Sequence, residues 1–112
     1  MTFEPASKGR PTLDETSAGI LADRFKLLAD PGRLRMIYVL LEAGELCVGD
    51  LAAIVGASES ATSHQLRQLR LARLVESRKQ GREVFYRVAD SHVRLLLDLA
   101  VEHYLHDHGD HR

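Results

Sequence analysis

A mainly helical domain carrying one β-hairpin is the fold this sequence predicts, and three observations carry the prediction. Apolar residues recur at helical spacing through most of the chain. Two of the helical stretches are short and flank a tight turn at Gly56. Directly after them the period changes to two around Gly81, as a hairpin requires. Two helices across a turn, followed by a basic hairpin, make a winged helix-turn-helix.

The opening residues hold Pro5, Gly9 and Pro11 among polar neighbours, so residues 1–16 are expected to form a flexible arm. From about Ser17, Ile20, Leu21, Phe25, Leu27 and Leu28 recur at helical spacing. Asp30-Pro31 then starts a second helix. The carboxylate accepts an amide hydrogen of the first turn, and proline at the first helical position loses no bond. This helix carries Leu34, Ile37, Tyr38 and Leu41 and stops at Gly44. VGDLAAIV is a short third helix closed by Gly56. Ser58 caps a fourth, in which Thr62, Leu66 and Leu69 share the inward side. In LVESRKQGREVFYRV, Val84, Tyr86 and Val88 alternate with Phe85 and Arg87 around the tip Lys79-Gln80-Gly81-Arg82. A last helix begins near Ser91. The domain is expected to span 17–106, with 107–112 a histidine-rich tail.

The bulk properties narrow the function. One cysteine, Cys47, permits no intramolecular disulfide and fits a reducing compartment. The start of the chain has no apolar run of the signal-peptide kind, and no stretch is fit to span a membrane. A cytoplasmic location without a membrane partner is expected. The net charge of −1 is uninformative, but its distribution is not. Residues 58–87 carry a net +4, and residues from Asp90 onward a net −3 together with five of the six histidines.

The basic middle points to double-stranded DNA. A helix start rich in small hydroxyl residues can enter the major groove and set polar side chains against base edges. The candidate contacts on that helix are Ser58, Ser60, Thr62, Ser63, His64, Gln65 and Arg67. Arg78, Lys79 and Arg82 on the hairpin suit phosphates, which fix register without reading sequence.

The last helix carries a second chemistry. With His92 at 0° on a helical wheel, His103 falls at about 20° and His106 at about 320°. Leu95, Leu96 and Leu99 share that face, while Val93, Leu97, Ala100 and Tyr104 form a second apolar face suited to the domain's own core. The first face needs another cover, and a second copy of the helix is the simplest. His92 and His103 are separated by roughly 16 Å along the axis, whereas zinc–nitrogen bonds are about 2 Å. One chain therefore cannot join them on one ion. An antiparallel pair of helices would bring Asp90 and His92 of one copy to His103 and His106 of the other. The outcome is two identical sites per homodimer, each with one carboxylate and three imidazoles. That donor set suits Zn(II), and Co(II) fits too.

These residues resemble the ArsR/SmtB family of metal-responsive bacterial repressors, from about Ala22 to His106. The blocks LLADPGRLRMIYVLL, ELCVGDLA, SATSHQLRQLRLARLV and GREVFYRVAD are similar to those of the family, as is the spacing of Asp90, His92, His103 and His106. The resemblance implies a dimer that binds operator DNA without metal and releases it with metal, so that genes for metal export or sequestration are transcribed. It implies no enzyme and no small-molecule substrate. It also implies that a ligand histidine, here His103, donates its second nitrogen to a carbonyl near Arg73, at the end of the recognition helix. In nickel and cobalt sensors of the family, tail histidines raise the coordination number, which makes His108 and His111 possible extra ligands to Ni(II) or Co(II). Cys47 and Asp50 match half of another family site whose remaining ligands the arm lacks, so Cys47 is read as a packing residue. Two other classes are open to the residues themselves. A metallohydrolase is disfavoured by a full donor set and the lack of a candidate general base. A protein-interaction winged helix would make the histidines incidental.

Overall fold

The computed structural model describes residues 12–106. Residues 1–11 of the expected arm, the tail with His108 and His111, and the side chain of His106 lie outside the described residues. Five α-helices and a three-stranded sheet follow in the order α1 (Glu15–Leu28), α2 (Pro31–Ala43), β1 (Leu46–Cys47), α3 (Val48–Val55), α4 (Glu59–Leu71), β2 (Val75–Gln80), β3 (Glu83–Val88) and α5 (Ser91–Val101). A π-helical turn, Glu102–His106, extends α5.

Local chemistry sets the helix ends. The carboxylate of Asp14 accepts the Ser17 amide at 2.7 Å, so α1 starts at Glu15, ahead of the expected Ser17. Asp30 accepts the Arg33 amide at 2.9 Å, with Pro31 opening α2. Gly44 closes α2 at φ +87°, and Gly56 closes α3 at φ +74°; side chains other than glycine rarely adopt such values. Arg73 does adopt one, at φ +64°. It follows α4, where the Leu74 amide reaches back to the Leu69 carbonyl at 2.9 Å and ends the helix as a glycine normally would.

The core sits where α2, α3, α4 and β2 meet. Ile37, Leu40, Leu51, Leu66, Leu69 and Val75 are fully enclosed there. Val93 and Leu97 bring α5 onto the same cluster, next to Tyr86 of β3. The second apolar face expected on the last helix is buried only at these two positions. Ala100 and Tyr104 are exposed.

The sheet has the order β1-β3-β2, all antiparallel. The hairpin register pairs Gln80 with Glu83 across the turn Gly81-Arg82. Positive φ at Gly81 alone is the pattern of a II′ turn. The short β1 was not expected from the sequence. It pairs Leu46 with Tyr86 and Cys47 with Phe85, tying the start of α3 to the hairpin.

Candidate nucleic-acid interface and metal centre

The helix-turn-helix is α3 and α4. Ser58 accepts the Ala61 amide at 3.0 Å and leaves the opening turn of α4 bare to solvent. Ser58, Ser60, His64 and Arg67 are exposed, and Ser63 and Gln65 are half-buried. Thr62 is a correction to the expected contact set: it is 1% exposed, on the side of Leu66 and Leu69, and cannot reach a groove. Its neighbours in sequence face outward only because a helix turns 100° per residue.

Between α4 and the hairpin lies a hollow of about 390 Å³ lined in part by Ser63, Arg67, Arg70 and Lys79. Arg67 donates to the Ser63 hydroxyl at 2.9 Å and so lies along the helix surface. Arg70 joins this basic hollow although it was absent from the expected set; its position one turn after Arg67 was the available signal. At the other end of α4, Arg82 of the hairpin turn shares a hollow of about 420 Å³ with Ser60 and Ser63. Arg78 differs from its neighbours. Its guanidinium grips the carboxylate of Glu45 with two bonds, 2.8 and 2.7 Å.

The metal-ligand candidates sit at the two ends of the last helix. Asp90 is the N-cap of α5: its Oδ1 accepts the amides of His92 at 2.9 Å and Val93 at 3.2 Å. Its second oxygen is not used by the cap. The His92 Nδ1 stands 3.6 Å from Asp90 Oδ1, and both side chains are more than half exposed. A carboxylate and an imidazole side by side at the surface fit a divalent cation. His103 lies beyond α5, in the π-helical turn, and meets the Tyr104 ring edge-on at 4.7 Å. The wheel angles expected for His103 and His106 assumed a continuous α-helix, and that geometry ends at Val101. Among the described residues no three His, Cys, Asp or Glu side chains converge on one point. Cys47 is buried at the start of α3.

Between these ends, α5 exposes Leu95 (57%), Leu96 (43%) and Leu99 (58%). Ile20, Leu21 and Phe25 of α1 are also open to solvent. No described helix is long and apolar enough to cross a membrane.

Residues 30–77, from the cap of α2 to the middle of β2, match the model of the bacterial regulatory protein, arsR family. The chain is also 44% identical over 103 residues to the HTH-type transcriptional regulator NmtR of Mycobacterium tuberculosis, covering 90% of this chain and 85% of that protein. The chain belongs to the ArsR family. A transcriptional repressor SmtB homolog of Synechocystis sp. is 52% identical over 83 residues, which span 74% of this chain and 62% of that protein. Two solved structures share the fold. The antimony-specific transcriptional repressor AntR superposes with a TM-score of 0.77 at 32% identity, covering 100% of this chain and 99% of that one. The homodimeric winged helix-turn-helix DNA-binding domain Mb0332 of Mycobacterium bovis gives 0.72 at 29% identity, covering 89% and 95%. The family consists of DNA-binding transcriptional regulators with metal-responsive repressors among them, so the hydrolase alternative falls away.

Proposed function

We propose that this ArsR-family chain is a homodimeric repressor that releases operator DNA when zinc binds between its terminal helices. The observation that carries the reading is the pair Asp90 and His92, 3.6 Å apart and exposed, at the start of a helix whose flank of leucines is left largely open among the described residues. An antiparallel mate would cover Leu95, Leu96 and Leu99. It would also set Asp90 and His92 beside His103 of the partner subunit and the partner's His106. Bound there, the metal would supply a four-coordinate tie between subunits.

The chain's own residues account for the rest. Asp90 holds the start of α5 through Oδ1 and keeps a second oxygen that the cap does not use, on a side chain more than half exposed. His103 is the residue we propose to hand its second nitrogen to a carbonyl near Arg73, following the rule that metal-bound imidazoles are anchored through the other nitrogen. That bond would make the recognition helices sense the ligand set and move them off the spacing of successive major grooves, about 34 Å. Coupling between such sites is typically ~1–3 kcal/mol, or about 5–150-fold in affinity.

The test is zinc-driven release from a duplex that the wild-type protein selects from a randomised pool, compared among three proteins. Wild type should release it. His103→Gln should still bind zinc in equilibrium dialysis yet stay on DNA. A chain ending at His106 should behave as wild type. Loss of zinc response in the truncated chain would instead assign His108 and His111 as ligands and nickel or cobalt as the metal.

A further inference from the structure

The sheet carries a contact that DNA binding by itself does not explain. β3 is central, with β1 on one side and β2 on the other. Glu45 stands just before β1 and Arg78 lies in the middle of β2, so the two flank β3 from opposite sides. Arg78 pairs in register with Phe85, and Cys47 pairs with Phe85 from the other edge. The guanidinium carbon lies 4.8 Å from the centre of the Phe85 ring. From there Nε reaches Glu45 Oε2 at 2.8 Å, Nη2 reaches Oε1 at 2.7 Å, and Nη1 donates to the Gln80 side chain. Every nitrogen of the group is engaged, and the side chain crosses the central strand to do it.

We propose that Glu45 and Arg78 form a strap that sets the pose of the hairpin against the helix-turn-helix, and that Arg78 is a positioning residue for DNA binding, not a phosphate contact. The proposal rests on the reading that the chain binds DNA. Three observations support it. The segment before α3 pairs with β3 through the two residues of β1, and the strap adds a tie across β3 to the outer strand β2 at the same level. Lys79 lines the hollow with Arg67 and Arg70; Arg78 borders the same hollow, but its guanidinium is held on Glu45. A guanidinium forked onto a carboxylate and stacked on a ring would have to give up that geometry to take a phosphate. The bond from Arg78 also holds the Glu45 carboxyl below the usual carboxylate range.

The sign of one substitution decides the matter. Glu45→Gln removes a negative charge from a protein that must approach a polyanion, so electrostatics alone predicts tighter binding. The strap predicts weaker binding, by roughly fivefold, the order expected for a forked surface pair. Arg78→Lys keeps the charge but loses the fork, and should weaken binding equally. The double variant should be no worse than either single one. Binding is read by fluorescence anisotropy on the selected duplex over a series of KCl concentrations. The salt slope should stay at the wild-type value in all variants. Tighter or unchanged binding in Glu45→Gln overturns the proposal. So does a slope lowered by about one phosphate in Arg78→Lys or Arg78→Gln alone. Hydrogen exchange on the free protein gives a readout independent of DNA: amides of residues 79–83 should exchange faster in Glu45→Gln while those of α4 are unchanged. Unaltered exchange there overturns the strap. If wild type selects no duplex, the DNA-binding reading fails by itself, and exchange still judges the strap.

Discussion

Thr62→Val should raise stability and leave DNA binding alone. The Thr62 side chain is sealed on the inner face of α4, and its hydroxyl has no hydrogen-bond partner among the described residues. A buried hydroxyl without a partner costs about 1–3 kcal/mol of desolvation. Valine has nearly the same shape and puts a methyl group in its place. Helix propensity differs little between the two residues, so the desolvation term decides the sign. Taking the low end, about 1 kcal/mol, a chain of this size should melt roughly 4 °C higher. Thermal unfolding followed by circular dichroism, at one fixed protein concentration because the proposed dimer would make the midpoint depend on it, measures it. Anisotropy on the selected duplex should be unchanged within twofold. A lower midpoint would show that the hydroxyl has a partner. A tenfold loss of DNA affinity at an unchanged midpoint would put Thr62 back among the groove contacts.

Two further outcomes follow from α5. Leu99→Glu places a carboxylate on the exposed leucine flank, so sedimentation should find a monomer, with the fold kept by the buried Val93 and Leu97; a variant that stays dimeric would exclude this face as the subunit contact. Asp90 has two roles that substitutions can separate. Asn retains a cap, whereas Ala forfeits about 1 kcal/mol of it. Both should lose zinc affinity in a competition titration, and wild-type affinity in Asp90→Asn would reduce Asp90 to a cap.

The elements that sequence predicts well here are those whose ends are chemical. Asp30-Pro31, Gly44, Gly56, Ser58 and Asp90 each close or open a helix through a bond the residue itself makes, and all five stand where the structure needs them. What sequence hides is set by distant partners. Two residues are too few to show a strand's period, so Leu46–Cys47 is visible only through its pairing with β3. Arg78 looks like any other hairpin cation until the fold brings Glu45 to it from 33 positions away. For Thr62 the wheel was informative and composition was misleading: a hydroxyl near a helix start suggested DNA, while its angle beside Leu66 and Leu69 already pointed inward. The histidines are the mixed case. The Asp90–His92 half of the candidate centre is local and legible, but the change of helix type after Val101 has no signature that spacing could reveal.

The link between β3 and α5 is very short. The strand ends at Val88, the helix begins at Ser91, and the Ala89 amide is pinned to the Leu74 carbonyl at 3.0 Å, just past the end of α4. Sheet, recognition helix and final helix are thus geared at one joint with almost no backlash. Between Asp90 and the end of α4 there is no loop long enough to take up a displacement of the helix start.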